Sequence, residues 1–252
     1  MSNIQLYSYP TSPYGQKVGC YLKYKQIDYS FVGVSPLRSE QIKFTGQRQV
    51  PVLQIDDEWR KESSELGLWL DQLFPERPIM PSDEKRAQKV RDVDDWISQS
   101  LIPAMFRGAV EWQSTFNSVT NGWRLARTVN NVTPLPFYVR LIWPFAVKRA
   151  PFIVRMVEQL DLSETMSDMM CRLEQEFVDH LNGQHYLGGE SELSLADLSA
   201  FPIIANAYMT GMRSNYFLID RPEIRAWAQR VARQLPANPL LVPDSFLKRS
   251  LL

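Results

Sequence analysis

The chain has 252 residues, with 28 Lys and Arg against 28 Asp and Glu, and 44% of its residues are hydrophobic. Zero net charge excludes a chain that coats nucleic acid by bulk charge or an acidic disordered tail, and the apolar fraction can build one large domain or two smaller ones. Cys20 and Cys171 form no CxxC pair and no disulfide framework, and the amino terminus MSNIQLYSYP has neither the basic nor the apolar region of a signal peptide, so the expected location is cytoplasmic.

Residues 4–9 alternate as a short strand, and 13–25 predict a helix with Val18, Tyr21 and Leu22 on one face. A second strand is expected at 29–34, a short helix or loop at 41–44, and a third strand at 50–55. Asp56-Asp57 turns into a fourth strand starting at 58–61, which returns as a hairpin. Residues 63–73 form an amphipathic pattern with Leu66, Leu70 and Leu73 expected on the inner side. The order βαβαββα is an α/β unit over residues 1–81. Three prolines within 74–81 make a linker that cannot continue a helix. No strand pattern follows in 82–252. Helices are expected from Ser82 toward Trp112, at 163–181, at 194–211, and at 222–235 with proline in the first turn. No apolar run is long enough to span a membrane, since Arg140, Lys148, Arg149 and Arg155 interrupt the nearest one, 134–157.

The neutral total conceals two opposed blocks. Residues 112–157 contain no carboxylate but hold Arg124, Arg127, Arg140, Lys148, Arg149 and Arg155, whereas 158–197 carry ten acids against Arg172 alone. The basic block is also aromatic. That mixture suits nucleic-acid or membrane-surface contact. The reading favoured here is a helical element over a ligand pocket, its charges answered by the acidic block.

Four short motifs stand out. Ser12-Pro13-Tyr14-Gly15-Gln16-Lys17-Val18 joins the first strand to the first helix. Capping alone accounts for Ser-Pro, but a hydroxyl at a helix N-terminus also suits a bound anion, and a thiol held there would have its pKa lowered. In Gln49-Val50-Pro51-Val52-Leu53 a proline within a strand pattern marks either an ordinary trans edge strand or a cis bond, with the Val50 backbone turned toward a peptide-like ligand. Glu62-Ser63-Ser64-Glu65 opens the helix before the linker. Ser63 reads as an N-cap, and the pair Glu62 and Ser63 could also hold an α-amino acid headgroup. Ser194-Leu195-Ala196-Asp197 has capping-box spacing and reads as structural. His180 and His185 have no second ligand at metal-binding spacing, so no metal site is expected.

At these spacings the motifs, with the proline linker, resemble the glutathione S-transferase superfamily, closely over 1–81 and well over 163–235. The stretch 112–162 is atypical and has no place on the family pattern. The resemblance implies a thioredoxin-like N-terminal domain followed by an all-α domain over 82–252, in a homodimer that takes glutathione and a small hydrophobic electrophile, with neither nucleic acid nor metal. It implies Ser12 as the activating hydroxyl of a serine-type site, with Tyr7 or Tyr9 at the end of the first strand as the tyrosine-type alternative. It also implies that Val50, before Pro51, pairs with the cysteinyl backbone, that Glu62 and Ser63 hold the γ-glutamyl end, and that Gln49 lies near the glycyl end. No cysteine stands at position 12 or 15, and Cys20 lies inside the helix, which argues against a mixed-disulfide mechanism. The competing class is a non-catalytic module of the same fold that binds ligands or docks to a membrane or protein through the basic aromatic segment.

Overall fold

Four short strands build one mixed sheet in the order β2-β1-β3-β4. These are β1 (Ile4–Ser8), β2 (Ser30–Gly33), β3 (Val52–Ile55) and β4 (Glu58–Lys61) in a computed structural model that describes residues 3–111, 114–214 and 218–252. β2 is parallel to β1, and β3 and β4 form the expected hairpin, with Tyr7 opposite Val52 and Val52 opposite Lys61. The third strand starts two residues later than its apolar run, and the Val50–Pro51 bond that precedes it is cis.

Alternation along β1 divides the core. Ile4 and Leu6 face α1 (Pro13–Tyr24) and α2 (Ser63–Leu73), whereas Tyr7 faces the opposite side with Val34, Ile42 and Val52. A 3₁₀ segment, Glu40–Thr45, lies at this second face and contributes Ile42. The face of α1 read from the sequence is correct, for Val18, Tyr21 and Leu22 have no exposed surface. Each such burial contributes about 1.5–3 kcal/mol. Leu73 departs from expectation. It ends α2 and is exposed, because the inner stripe of that helix closes at Leu70.

The linker is held in place by ionic anchors. Asp71 accepts the backbone N–H groups of Ile79 and Met80, and Lys25 donates to Asp71 and to the carbonyls of Phe74 and Arg77. Among the described residues the helices that follow are α3 (Glu84–Trp96), α4 (Ile102–Glu111), α5 (Thr115–Val132), α6 (Phe137–Ala146), α7 (Pro151–Val157), α8 (Met166–Leu181) and α9 (Leu195–Met209). α10 (Pro222–Ala232) lies beyond them. The helix expected from Ser82 runs from Glu84 to Glu111 with one π-helical turn inside it, Ile97–Leu101, where the Ile102 N–H donates to the carbonyl of Ile97. The helix continues as α4 to Glu111, and Trp112 and Gln113 lie outside the described residues.

The atypical stretch is helical, as expected, but its charges are not answered by the acidic block. Among the described residues none of its six cations forms an ion pair, while Arg172 takes Glu164 and Glu176. Its first helix closes the open edge of the sheet instead. Thr133 Oγ1 donates to the carbonyl of Gly33, and a Cβ on Gly33 would stand 2.0 Å from Val132 Cγ1. Among the described residues no helix is long and apolar enough to cross a membrane.

The candidate glutathione-type site

Sheet topology brings the motifs together. β1 and β4 both run antiparallel to β3, so they end at the same edge of the sheet. α1 follows β1 and α2 follows β4, so two helix N-termini converge there with their partial positive charges and unpaired N–H groups. Both ladders stop at Val52, opposite Tyr7 and Lys61, so Pro51 and Val50 lead into β3 from the end of the sheet where β1 and β4 run out.

Ser12 occupies the N-cap of α1, is 8% exposed, and accepts from the N–H of Gly15 at 3.2 Å. Capping takes a lone pair on Oγ and leaves the hydroxyl proton to donate, so cap and anion site are compatible roles of one side chain. Its loop is fixed from behind. The Ser12 N–H donates to the Tyr9 carbonyl, and buried Gln16 donates to the Pro10 carbonyl while accepting from the Leu241 N–H. Gly15 allows α1 to start against β1, because a Cβ there would stand 1.9 Å from Ser8 Oγ.

Tyr7 is differently placed. Its hydroxyl is within hydrogen-bond reach of Gln5 and Gln54 Oε1 on the second face of the sheet, and burial pushes its pKa up. The pKa of Tyr9 is also raised by burial, which outweighs a hydrogen bond with Ser39.

At α2 the sequence expectation needs correction. Ser63 is the first helical residue, and the N-cap is Glu62, which has φ +67° and makes no side-chain capping bond. The first N–H groups of α2 are therefore not capped by that side chain. Ser63 is buried, and Glu62 and Gln49 are exposed.

Sequence alone gave no role to the cluster beneath the motif. Lys17 is fully buried and pairs with Asp94 of α3 at 2.8 Å, and it also donates to Ser98 Oγ at 3.1 Å. Ser64 donates to the other oxygen of Asp94. The readable signal was a lysine on the apolar stripe of α1, which requires a buried partner. Above it, the Tyr14 hydroxyl lies 3.5 Å from both the Ser98 carbonyl and Met156 Sδ of α7. Burial raises the Tyr14 pKa, helped by the charges of Glu62 and Asp94. Buried Cys20 has its thiol pushed up to about 12, mainly by burial, so it is inert at neutral pH. Among the described residues no cluster of three metal-ligating side chains occurs.

Residues 6–78 match the family model for the glutathione S-transferase N-terminal domain, and residues 136–234 match the model for the C-terminal domain. The second match takes in part of the atypical stretch, whereas α5 lies outside both. Prostaglandin E synthase 2 of Danio rerio is 20% identical over 91% of this chain and 70% of its own length. A probable maleylacetoacetate isomerase 2 of Drosophila melanogaster is 32% identical over 40% of this chain, a match that spans 49% of that relative. Among solved structures, the β-etherase LigF from Sphingobium sp. strain SYK-6 superposes with a TM-score of 0.61 at 22% identity, covering 91% of this chain and 95% of that one. Human glutathione transferase theta-2, in complex with glutathione and an unknown ligand, gives 0.61 at 18% identity over 94% and 84%. At these identities the superpositions speak for the fold.

Proposed function

The chain belongs to the glutathione S-transferase superfamily, and from that premise we propose that it activates the thiol of glutathione for attack on a hydrophobic electrophile. The supporting observation is the convergence of two helix N-termini at one sheet edge, with the Ser12 hydroxyl in the cap of the first. In this reading Ser12 donates to the glutathione sulfur. That hydrogen bond and the α1 dipole favour thiolate over thiol. The Val50 backbone before Pro51 pairs with the cysteinyl unit, the N–H groups at Ser63 take the γ-glutamyl carboxylate, Glu62 accepts from its ammonium group, and Gln49 meets the glycyl end. The thiolate electron pair forms a C–S bond while the leaving group departs with the pair of the bond that breaks. Tyr14, two residues after Ser12, contacts Met156, and in this reading the pair would meet the electrophile. The protein would act as a homodimer in the cytoplasm, with residues 1–81 holding glutathione and 82–252 roofing the second substrate.

Ser12→Ala should lower kcat/KM for a chloronitrobenzene about 100-fold and leave glutathione affinity by calorimetry within about twofold, because one donor to the developing thiolate is lost. Wild-type protein that binds no glutathione would overturn the site, and turnover that survives Ser12→Ala but fails in Tyr7→Phe would move the role to tyrosine. The isomerase relative favours a second reaction on the same residues. A thiolate that adds to an activated double bond and leaves after rotation releases a product without sulfur, which mass spectrometry separates from a conjugate.

A further inference from the structure

α6 is inside out. It meets α5 through Pro144, so closely that a Cβ on Gly122 would stand 2.5 Å from the Pro144 Cα. Phe137, Tyr138, Leu141, Ile142 and Phe145 nevertheless stay outside, at helical spacing, and the three aromatic residues are 67%, 66% and 61% exposed. A helix on a globular surface normally turns such a stripe inward, and a contiguous apolar patch left outside marks a contact surface.

Charge identifies the contact. No carboxylate occurs in 112–157. Arg140 is exposed with its guanidinium 5.6 Å from the Phe137 ring centre, and Arg149 and Arg155 are exposed in the turns that follow. A second copy meeting this face about a twofold axis would set like charges together with no acid to answer them. An anionic lipid surface supplies opposite charge at the headgroups and hydrocarbon for the aromatic rings. α6 is too short to cross a bilayer and suited to lie in its interface.

We propose that the exposed face of α6, with Arg140, Arg149 and Arg155, docks the protein on an anionic lipid surface. The docking does not depend on the thiol chemistry. It does have a consequence for it, because α7, which carries Arg155, also places Met156 against Tyr14, so the docked segment adjoins the site. Electrophiles dissolved in the bilayer would then enter without passing through water.

Flotation of the full chain with vesicles tests this. It should float with equal parts phosphatidylcholine and phosphatidylglycerol, and stay at the bottom with phosphatidylcholine alone. Partitioning should fall at least about tenfold in Arg140→Glu/Arg149→Glu/Arg155→Glu and in Phe137→Ser/Leu141→Ser/Phe145→Ser. Both variants change exposed side chains, and unfolding curves report whether each stays folded. If the serine variant fails to fold, the charge variant decides. Three results would overturn the proposal: no flotation of wild type, flotation undiminished in the folded variants, or a dimer seen by light scattering that the serine variant dissociates while wild type ignores vesicles.

Discussion

A single residue, Asp197, shows how burial and hydrogen bonding compete. It accepts from the Leu187 N–H, the Trp227 indole, and both the N–H and hydroxyl of Ser194, the capping box read from the sequence. Those bonds favour the carboxylate, yet complete burial still lifts its pKa from 3.8 to about 6. Because the folded state holds this proton more tightly than the unfolded one, the contribution of Asp197 to stability is greatest at low pH and falls as pH rises from about 4 to 6, by about 3 kcal/mol. Asp197→Asn should flatten that slope in urea titrations at several pH values. It should also destabilise at neutral pH by about 1–3 kcal/mol, because the amide turns donors toward donors. The box was legible from four letters. What Asp197 does for Trp227 was not, since thirty residues of chain separate partners that only packing unites.

Among elements, the α5–α6 hairpin depends on a close approach. Gly122→Ala puts a methyl against the backbone of α6, which must shift, and chemical denaturation should show a loss of about 1–3 kcal/mol. Whereas 112–162 was read as helical without limits, helix type and approximate limits were readable for α1, α2, α8, α9 and α10, from periodicity and from caps such as Ser12 and Ser194. Three features were not. The π turn at Ile97–Leu101 has no composition signal, because Ile-Ser-Gln-Ser-Leu suits an α-helix equally well. Glu62 displaced Ser63 as N-cap, since a left-handed φ at the end of β4 starts α2 one residue early. The direction in which the α6 aromatics point was hidden too, because periodicity defines a stripe but not the side on which the rest of the chain lies.

At the scale of the molecule, a buried ion pair joins the two halves under the candidate site. Lys17→Met should cost about 3–5 kcal/mol, because Asp94 would stay buried without its counter-charge, whereas Lys17→Met/Asp94→Leu should recover much of that loss. Denaturant unfolding of wild type, the double variant and both single variants, Lys17→Met and Asp94→Leu, gives the coupling directly. The sequence made the sheet-and-helix half legible because its motifs are local. It left the junction dark because Lys17, Ser64, Asp94 and Ser98 meet only after two layers have folded. The contact of Thr133 with Gly33 carries this interdependence further. β2 is an outer strand, and an open row of peptide groups is a template for another chain. The helical half acts as a stopper for that row. A polypeptide cut before Thr115 would therefore emerge with its sheet unguarded, and light scattering should find it growing into strand-to-strand polymers while the whole chain stays discrete.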